Sequence, residues 1–259
     1  MLHDIIMSAS SYNSGSLAAP IVENVFSTDR YAGTNAAQTI TNGIDTSTFG
    51  GLIWIKGLTS AGYSHCLMDT VRGNGQYLRS DLGISGATPD YTNITSFNTN
   101  GFTLGTNTQT SFVRTNYSGE QTVAWTFRKS PKFFDVVSFS GNGAVQTINH
   151  ALGQTPGMII CRRLDSGSSW FVYHIGLGNT KVSYLSTTEA AQTLSTAWDN
   201  TSPTLSTFTV GTSISVSGST WIAYLFAHDP SAEGIIQCGS FTTSAGQDAQ
   251  ITNIGWEPQ

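Results

Sequence analysis

Short runs of hydrophobic residues, separated by polar turns, recur along the whole chain. Phe102 and Leu104 are separated by one polar residue, and so are Phe208 and Val210. This alternation with period two is typical of a half-buried strand. Other runs, such as residues 51–55, are continuously apolar and short, which indicates strands that are buried more completely. The hydrophobic pattern therefore predicts an all-β protein.

An internal repeat organises these strands. Residues 51–56 read GLIWIK and residues 157–162 read GMIICR, an offset of 106 residues. The same offset relates GFTLGT at 101–106 to TFTVGT at 207–212. Because the order of the matching segments is kept, the repeat predicts two copies of one module.

A further segment occurs three times. YAG followed by QTI at 31–40 corresponds to FSG followed by QTI at 139–148, and a shortened copy starts at 241. The chain ends at Gln259, where a third core strand would begin. The terminal hairpin either completes the second sandwich or pairs, as an open strand edge, with another chain. Truncation of a longer array is a third alternative.

These segments divide the chain into three parts. Residues 1–29 lie outside the repeat and are predicted to be an N-terminal arm or linker. Residues 30–132 are predicted to form a first antiparallel β-sandwich module, and residues 133–259 a second one with the terminal hairpin. Each module offers about seven short strands, the pattern of a sandwich or jelly roll. Helix is expected only as one or two turns within residues 188–197.

The composition indicates a folded, weakly charged protein. Charged residues make up 10% of the 259, the net charge is −5, and no cluster of Lys or Arg occurs. We therefore expect no nucleic-acid partner. No run approaches the ~20 apolar residues of a membrane span, and the first residues lack the regions of a signal peptide. Three cysteines without CxxC spacing indicate no zinc site, and we predict no cofactor or metal.

Several motifs carry a family resemblance. In the first copy they are WIK at 54–56, LMDTVRG at 67–73, SFNTNGFTLG at 96–105 and VAWTFR at 123–128. In the second copy they are HALGQTPGMII at 150–160, WFVYH at 170–174 and WDNTSPT at 198–204. Over residues 31–258 the chain resembles a repeat common in structural proteins of marine and cyanobacterial tailed phages.

The resemblance implies modules similar to laminin-G or concanavalin-A-like sandwiches. It implies a tail-fibre, baseplate or other appendage protein of the virion, made in the host cytoplasm. The expected partners are copies of this chain and other virion proteins, and the family also implies binding of sugars or host-surface carbohydrate. A capsid decoration or cement protein without a ligand is the alternative within the same class.

Trp170 and His174 are the first candidate ligand-binding residues. They lie four apart on a predicted strand, so their side chains share a face. An aromatic ring suits sugar stacking, and an imidazole can donate a hydrogen bond. The counterparts in the first copy, His65 and Asp69, favour a second interpretation, in which these positions pack within the strand layers.

Trp198, Asp199 and Asn200 are the second candidate. This loop places an aromatic ring beside two oxygen-bearing side chains, which suits a glycan or a calcium ion. A turn capped by Asp and Asn is the competing interpretation.

No catalytic motif supports an enzyme. The sequence has no P-loop, HExxH, GxSxG or complete GxGxxG, and we predict a non-enzymatic protein. A polysaccharide depolymerase is the alternative from another class. It would need two carboxylates about 5–10 Å apart, for which Glu120, Glu189 and Asp199 are scattered candidates. Asp69 and Arg72 instead suggest a structural salt bridge that the second copy lacks.

Overall fold

The computed structural model describes residues 20–60, 62–83, 93–106 and 112–241, and the backbone of residues 88–89. Within these residues every sheet is antiparallel, and helical structure is limited to three short turns. The prediction of an all-β protein is confirmed. In the same residues no helix has the length and apolar character needed to cross a membrane.

The first half of the described chain extends to Arg128. It begins with a 3-10 turn at Val22–Asn24. Its elements are β1 (Phe26–Ala32), β2 (Gln38–Ile40), α1 (Thr46–Phe49), β3 (Gly51–Gly57), β4 (Cys66–Asp69), β5 (Gln76–Tyr77), β6 (Thr88–Pro89), β7 (Ile94–Asn98), β8 (Gly101–Leu104) and β9 (Gln121–Arg128). They form inner sheet 1, with the order β1-β9-β3-β4, and outer sheet 1, with the order β2-β8-β7. β5 and β6 pair with each other beside β4.

The second half starts at Phe134, after five intervening residues. Its elements are β10 (Phe134–Ser140), β11 (Gln146–Asn149), β12 (Pro156–Arg163), β13 (Phe171–His174), β14 (Lys181–Tyr184), β15 (Gln192–Thr193), α2 (Ser195–Trp198), β16 (Thr207–Val210) and β17 (Thr220–Ala227). They form inner sheet 2, with the order β10-β17-β12-β13-β14-β15, and outer sheet 2, formed by β11 and β16.

Three buried cores show that the inner and outer sheets of both halves are stacked as layers. The first core joins outer and inner sheet 1 and includes Ile53, Phe102 and Leu104. The second core joins inner and outer sheet 2 and includes Trp198 and Phe208. Between the two inner sheets lies a central core, to which both halves contribute: Val25, Leu52, Leu67, Leu78, Phe133, Phe134, Val136, Ile160, Trp170, Val172, Ile222, Tyr224 and Phe226. The halves therefore pack back to back through their inner sheets.

This stacking explains why the central strands are apolar at successive positions. Along β17, Trp221 and Leu225 face the second core, whereas Ile222, Tyr224 and Phe226 face the central core. Successive side chains of a strand point to opposite faces. Because both faces of β17 are covered, its sequence is a continuous apolar run instead of an alternating one.

The structure moves one predicted boundary. β1 begins at Phe26 and pairs with β9 from Phe26–Phe127 to Ala32–Gln121, so residues 26–29 of the predicted arm belong to inner sheet 1. Residues 1–19 of that arm lie outside the described residues, as does the third copy beyond 241. Within residues 188–197, β15 precedes α2, and only the end of the predicted helical segment is helical.

Candidate functional site

Trp170 is a core residue. Its side chain is fully buried in the central core, and its indole N–H donates to the backbone oxygens of Arg79 and Leu82, both at 3.1 Å. The guanidinium of Arg162 lies 5.5 Å from the ring centroid. The faces of Trp170 therefore contact protein on both sides, and the structure gives the ring a packing role instead of a surface for sugar.

His174 is half-buried at the end of β13, opposite Met158. Its Nδ1 accepts a hydrogen bond from the N–H of Gly176 at 3.1 Å. Burial, with a smaller contribution from His228, lowers the pKa of His174, which favours the neutral imidazole. Since Trp170 is buried, the two residues do not form an exposed pair.

Trp198 is also buried, whereas the two residues after it are exposed. The Trp198 ring packs edge-on against Tyr173, with centroids 5.8 Å apart. Asp199 and Asn200 adopt left-handed backbone conformations, with φ of 51° and 50°, which Asp and Asn tolerate better than other residues. The predicted loop is therefore a tight turn in which the polar side chains face solvent and the indole does not.

A side-chain amide fixes this turn, and the first half has a corresponding arrangement. In the second half Asn179 Nδ2 donates to Asn200 O at 2.8 Å. In the first half Asn74 Nδ2 donates to Thr95 O at 2.7 Å. Both amides follow a glycine with φ near +80°, at Gly73 and Gly178. Thr95 is therefore the structural counterpart of Asn200.

An open cleft lies beside Asn74. Its volume is about 320 Å³, and it is lined by Thr46 and Ser47 of α1, by Thr70 and Asn74, and by residues 95–97 of β7. We call it the Asn74 cleft. The sequence pattern did not single it out, although the Gly-Asn pairs at 73–74 and 178–179 mark the corresponding place in both halves.

A buried ionic network connects the halves across the central core. Arg72 Nε lies 2.6 Å from Asp69 Oδ2, and the guanidinium also donates to the backbone oxygens of Leu67 and Gln76. From the second half, Tyr224 donates its hydroxyl to Asp69 Oδ2 at 2.8 Å. Burial alone lowers the pKa of Arg72, but Tyr224 and Asp69 together raise it above its ordinary value. The ion pair is therefore fully partnered, as a buried pair must be to remain ionised.

A second charged cluster lies in the first half. The guanidinium of Arg114 lies between the rings of Tyr63 and Tyr117, 3.9 Å and 4.0 Å from their centroids. It is 3.7 Å from the buried carboxylate of Glu120, whose Oε1 accepts from the backbone N–H groups of residues 59–60. Burial alone raises the pKa of Glu120, but hydrogen bonds from the side chains of Ser60 and Thr59, and then from their backbone N–H groups, lower it to about 2. Glu120 is thus an ionised structural group.

Side chains that could bind a metal ion are widely separated in the described residues. In the described part of the chain no three His, Cys, Asp or Glu residues lie close enough together to hold a metal ion. Cys66, Cys161 and Cys238 form no disulfide with one another, and burial raises the pKa of Cys238 to about 11.

Comparison with known proteins identifies a family without assigning an activity. No curated protein and no solved structure matches the chain. A family model matches residues 23–259, which extend over both halves and the central core between them. The chain therefore belongs to the family described as a domain of unknown function, DUF7483.

Proposed function

We propose that the two halves are tandem copies of one β-sandwich module of the jelly-roll or concanavalin-A-like type. The order β1-β9-β3-β4 of inner sheet 1 corresponds strand by strand to β10-β17-β12-β13 of inner sheet 2. In the outer sheets, the β2-β8 pair corresponds to the β11-β16 pair.

Equivalent side-chain contacts support the same relation. Gln38 Nε2 donates to Ala32 O, and Gln146 Nε2 donates to Ser140 O, each at 3.1 Å. The glycine after the first strand is also equivalent. A Cβ at Gly33 would lie 2.1 Å from a facing backbone oxygen, and one at Gly141 would lie 2.0 Å from its counterpart. Only a glycine fits such a close approach of two backbones.

We further propose that the chain is a non-enzymatic structural protein of a tailed-phage virion, in a tail fibre, baseplate or other appendage, with host-surface glycan binding as part of its role. The observation that carries the structural role is the central core, which joins both inner sheets into one packed body. Closely packed protein interiors deform little, which suits a part that bears load between a particle and a surface. The virion context of this proposal rests on the resemblance of the repeat motifs to those of phage structural proteins.

The strand edges offer sites for assembly. In the described residues β1 and β10 each have a strand neighbour on one side only. An open edge presents unpaired backbone groups to a further strand. We propose that copies of this chain or other virion proteins pair at these edges.

The test is immunogold electron microscopy of virions purified from cells that carry the gene in its natural genome. Label on fibres, baseplate or another appendage is the expected result. Label spread evenly over the head would replace the appendage role with capsid decoration, and unlabelled particles would overturn the virion role. Release of sugar from host polysaccharide by the purified chain would contradict the non-enzymatic role.

A further inference from the structure

We propose that the Asn74 cleft binds an uncharged saccharide. This inference rests on the proposed role in host attachment, because it names the ligand and the site of that role. The site lies in the first half, on the surface that corresponds to the Asp199–Asn200 turn of the second half.

The lining side chains carry no charge. Five of them are hydroxyl side chains, one is a carboxamide and one is a phenyl ring. A charged ligand would lose hydration on entering the cleft without gaining an opposite charge. A polyhydroxylated neutral ligand instead finds hydrogen-bonding groups and one apolar wall.

Three side chains that line the cleft already donate within the protein, whereas the buried hydroxyl of Thr46 has no hydrogen-bond partner among the described residues. Asn74 Nδ2 donates to Thr95 O, Thr95 Oγ1 donates to Thr103 O at 3.2 Å, and Ser96 Oγ donates to Asn98 Oδ1 at 2.8 Å. A hydroxyl or carboxamide oxygen has two lone pairs, so these side chains still present acceptors. A sugar hydroxyl both donates and accepts, so it can donate to these acceptors and accept from the unpartnered hydroxyl of Thr46.

Strand β7 has a β-bulge where it lines the cleft. Pairing between β7 and β8 shifts between Ile94 and Ser96, so Thr95 is an additional residue in the strand. Bulges of this kind redirect side chains and are common beside binding sites. Phe97, two residues further, packs against the first core and fixes the apolar wall of the cleft.

The corresponding surface of the second half is arranged differently. There Asn179 Nδ2 donates to Ser202 Oγ at 3.0 Å as well as to Asn200 O. Its carboxamide therefore holds two residues of the loop against the turn. Thr201, the exposed counterpart of Ser96, offers a matched control position.

The volume limits the ligand. About 320 Å³ lies at the small end of the ~300–1,000 Å³ that ligand sites occupy. The cleft is also open, so we expect affinity of order 1 mM for a single disaccharide, increased in the virion by many copies.

The experiment is an NMR titration of the ¹⁵N-labelled full chain with a panel of neutral disaccharides built from glucose, galactose and mannose, and with sulfated versions of each. We expect at least one neutral disaccharide to shift the amide resonances of residues 70–74 and 95–97. The Ser96→Trp variant fills the cleft, and it should weaken binding at least about tenfold. Thr201→Trp places the same bulk at the matched position, and it should leave binding unchanged.

Three outcomes would overturn the cleft as a saccharide site: no shift with any neutral disaccharide, shifts only with sulfated ones, or loss of binding in Thr201→Trp but not in Ser96→Trp. The spectrum of each variant without sugar reports whether it is folded. Immunogold labelling of virions is independent of this titration, so failure of the cleft and failure of the virion role are distinguishable.

Discussion

Removal of the Tyr224 hydroxyl is the sharpest perturbation of the contact between the halves. This hydroxyl belongs to inner sheet 2, and it donates to Asp69 of inner sheet 1 at 2.8 Å. Both residues are fully buried. In Tyr224→Phe the ring remains stacked near Phe134, with centroids 6.5 Å apart. The substitution therefore removes only the hydroxyl, which donates to Asp69 and accepts from Arg72 Nη2 at 3.3 Å.

The expected loss of unfolding free energy depends on the contacts that Asp69 keeps in the variant. A hydrogen bond to a charged group contributes about 1.5–3 kcal/mol, and Arg72 at 2.6 Å keeps the carboxylate paired. We therefore expect Tyr224→Phe to lower the free energy of unfolding by about 2 kcal/mol. Asp69→Asn leaves the Arg72 charge buried without its partner, which costs about 3–5 kcal/mol. Because both variants remove the same contact, the double variant should lose less than the sum by about 1 kcal/mol or more.

The assay is urea unfolding of the full chain, followed by tryptophan fluorescence and by circular dichroism. Tyr184→Phe is the matched control, because Tyr184 is half-buried in the same sheet and packs edge-on against Phe171. It should change the unfolding free energy by no more than about 0.5 kcal/mol. An unchanged stability of Tyr224→Phe, with strictly additive effects in the double variant, would refute the energetic coupling of the two halves through this network.

Three further substitutions test other contacts. Glu120 has a pKa lowered from 4.5 to about 2 in the folded chain. The ionised carboxylate therefore stabilises the fold fully above about pH 4.5, and this contribution is lost as the pH falls toward 2. In Glu120→Gln, the urea midpoint of unfolding should fall less steeply between pH 4.5 and 2 than in the unsubstituted chain. Trp198→Ala should cost about 3–5 kcal/mol of unfolding free energy, and a near-neutral effect would contradict its place in the core. Gly141→Ala should lower the free energy of unfolding by about 1–3 kcal/mol, because its Cβ would lie 2.0 Å from the backbone oxygen of Val216. Gly239→Ala is the control: its Cβ would meet no atom within 4 Å, so the same urea assay should show no change in stability.

The hydrophobic pattern predicted the strands well, because period-two alternation is a local property. Phe102, Leu104, Phe208 and Val210 lie on strands β8 and β16, as their alternation predicts. The packing of the inner sheets against each other joins residues that are far apart in the sequence, and no spacing of hydrophobic residues predicts it. In the sequence, this packing is indicated only by the uninterrupted apolar run of β17, because such a run is expected when both faces of a strand are covered.

The candidate ligand residues show where such inference stops. The spacing of Trp170 and His174 predicts a shared side of one strand, but β13 begins only at Phe171, and the spacing does not say whether solvent or another sheet covers that side. The central core covers it at Trp170. The sequence also does not indicate that the Trp198 ring is buried. Its polar neighbours Asp199 and Asn200 suggested a surface site instead. The Asn74 cleft escaped prediction because its lining comes from three separate segments of the chain.

On the proposal that the two halves are copies of one module, the back-to-back contact of the inner sheets also limits how the repeat can multiply. Each inner sheet uses one face for its own outer sheet and the other for the partner half. After two copies have joined, the face that would receive a third is occupied. Gene duplication would then add intact pairs of modules, or it would have to create a different interface, so that the natural unit of growth is the double module and not the single repeat.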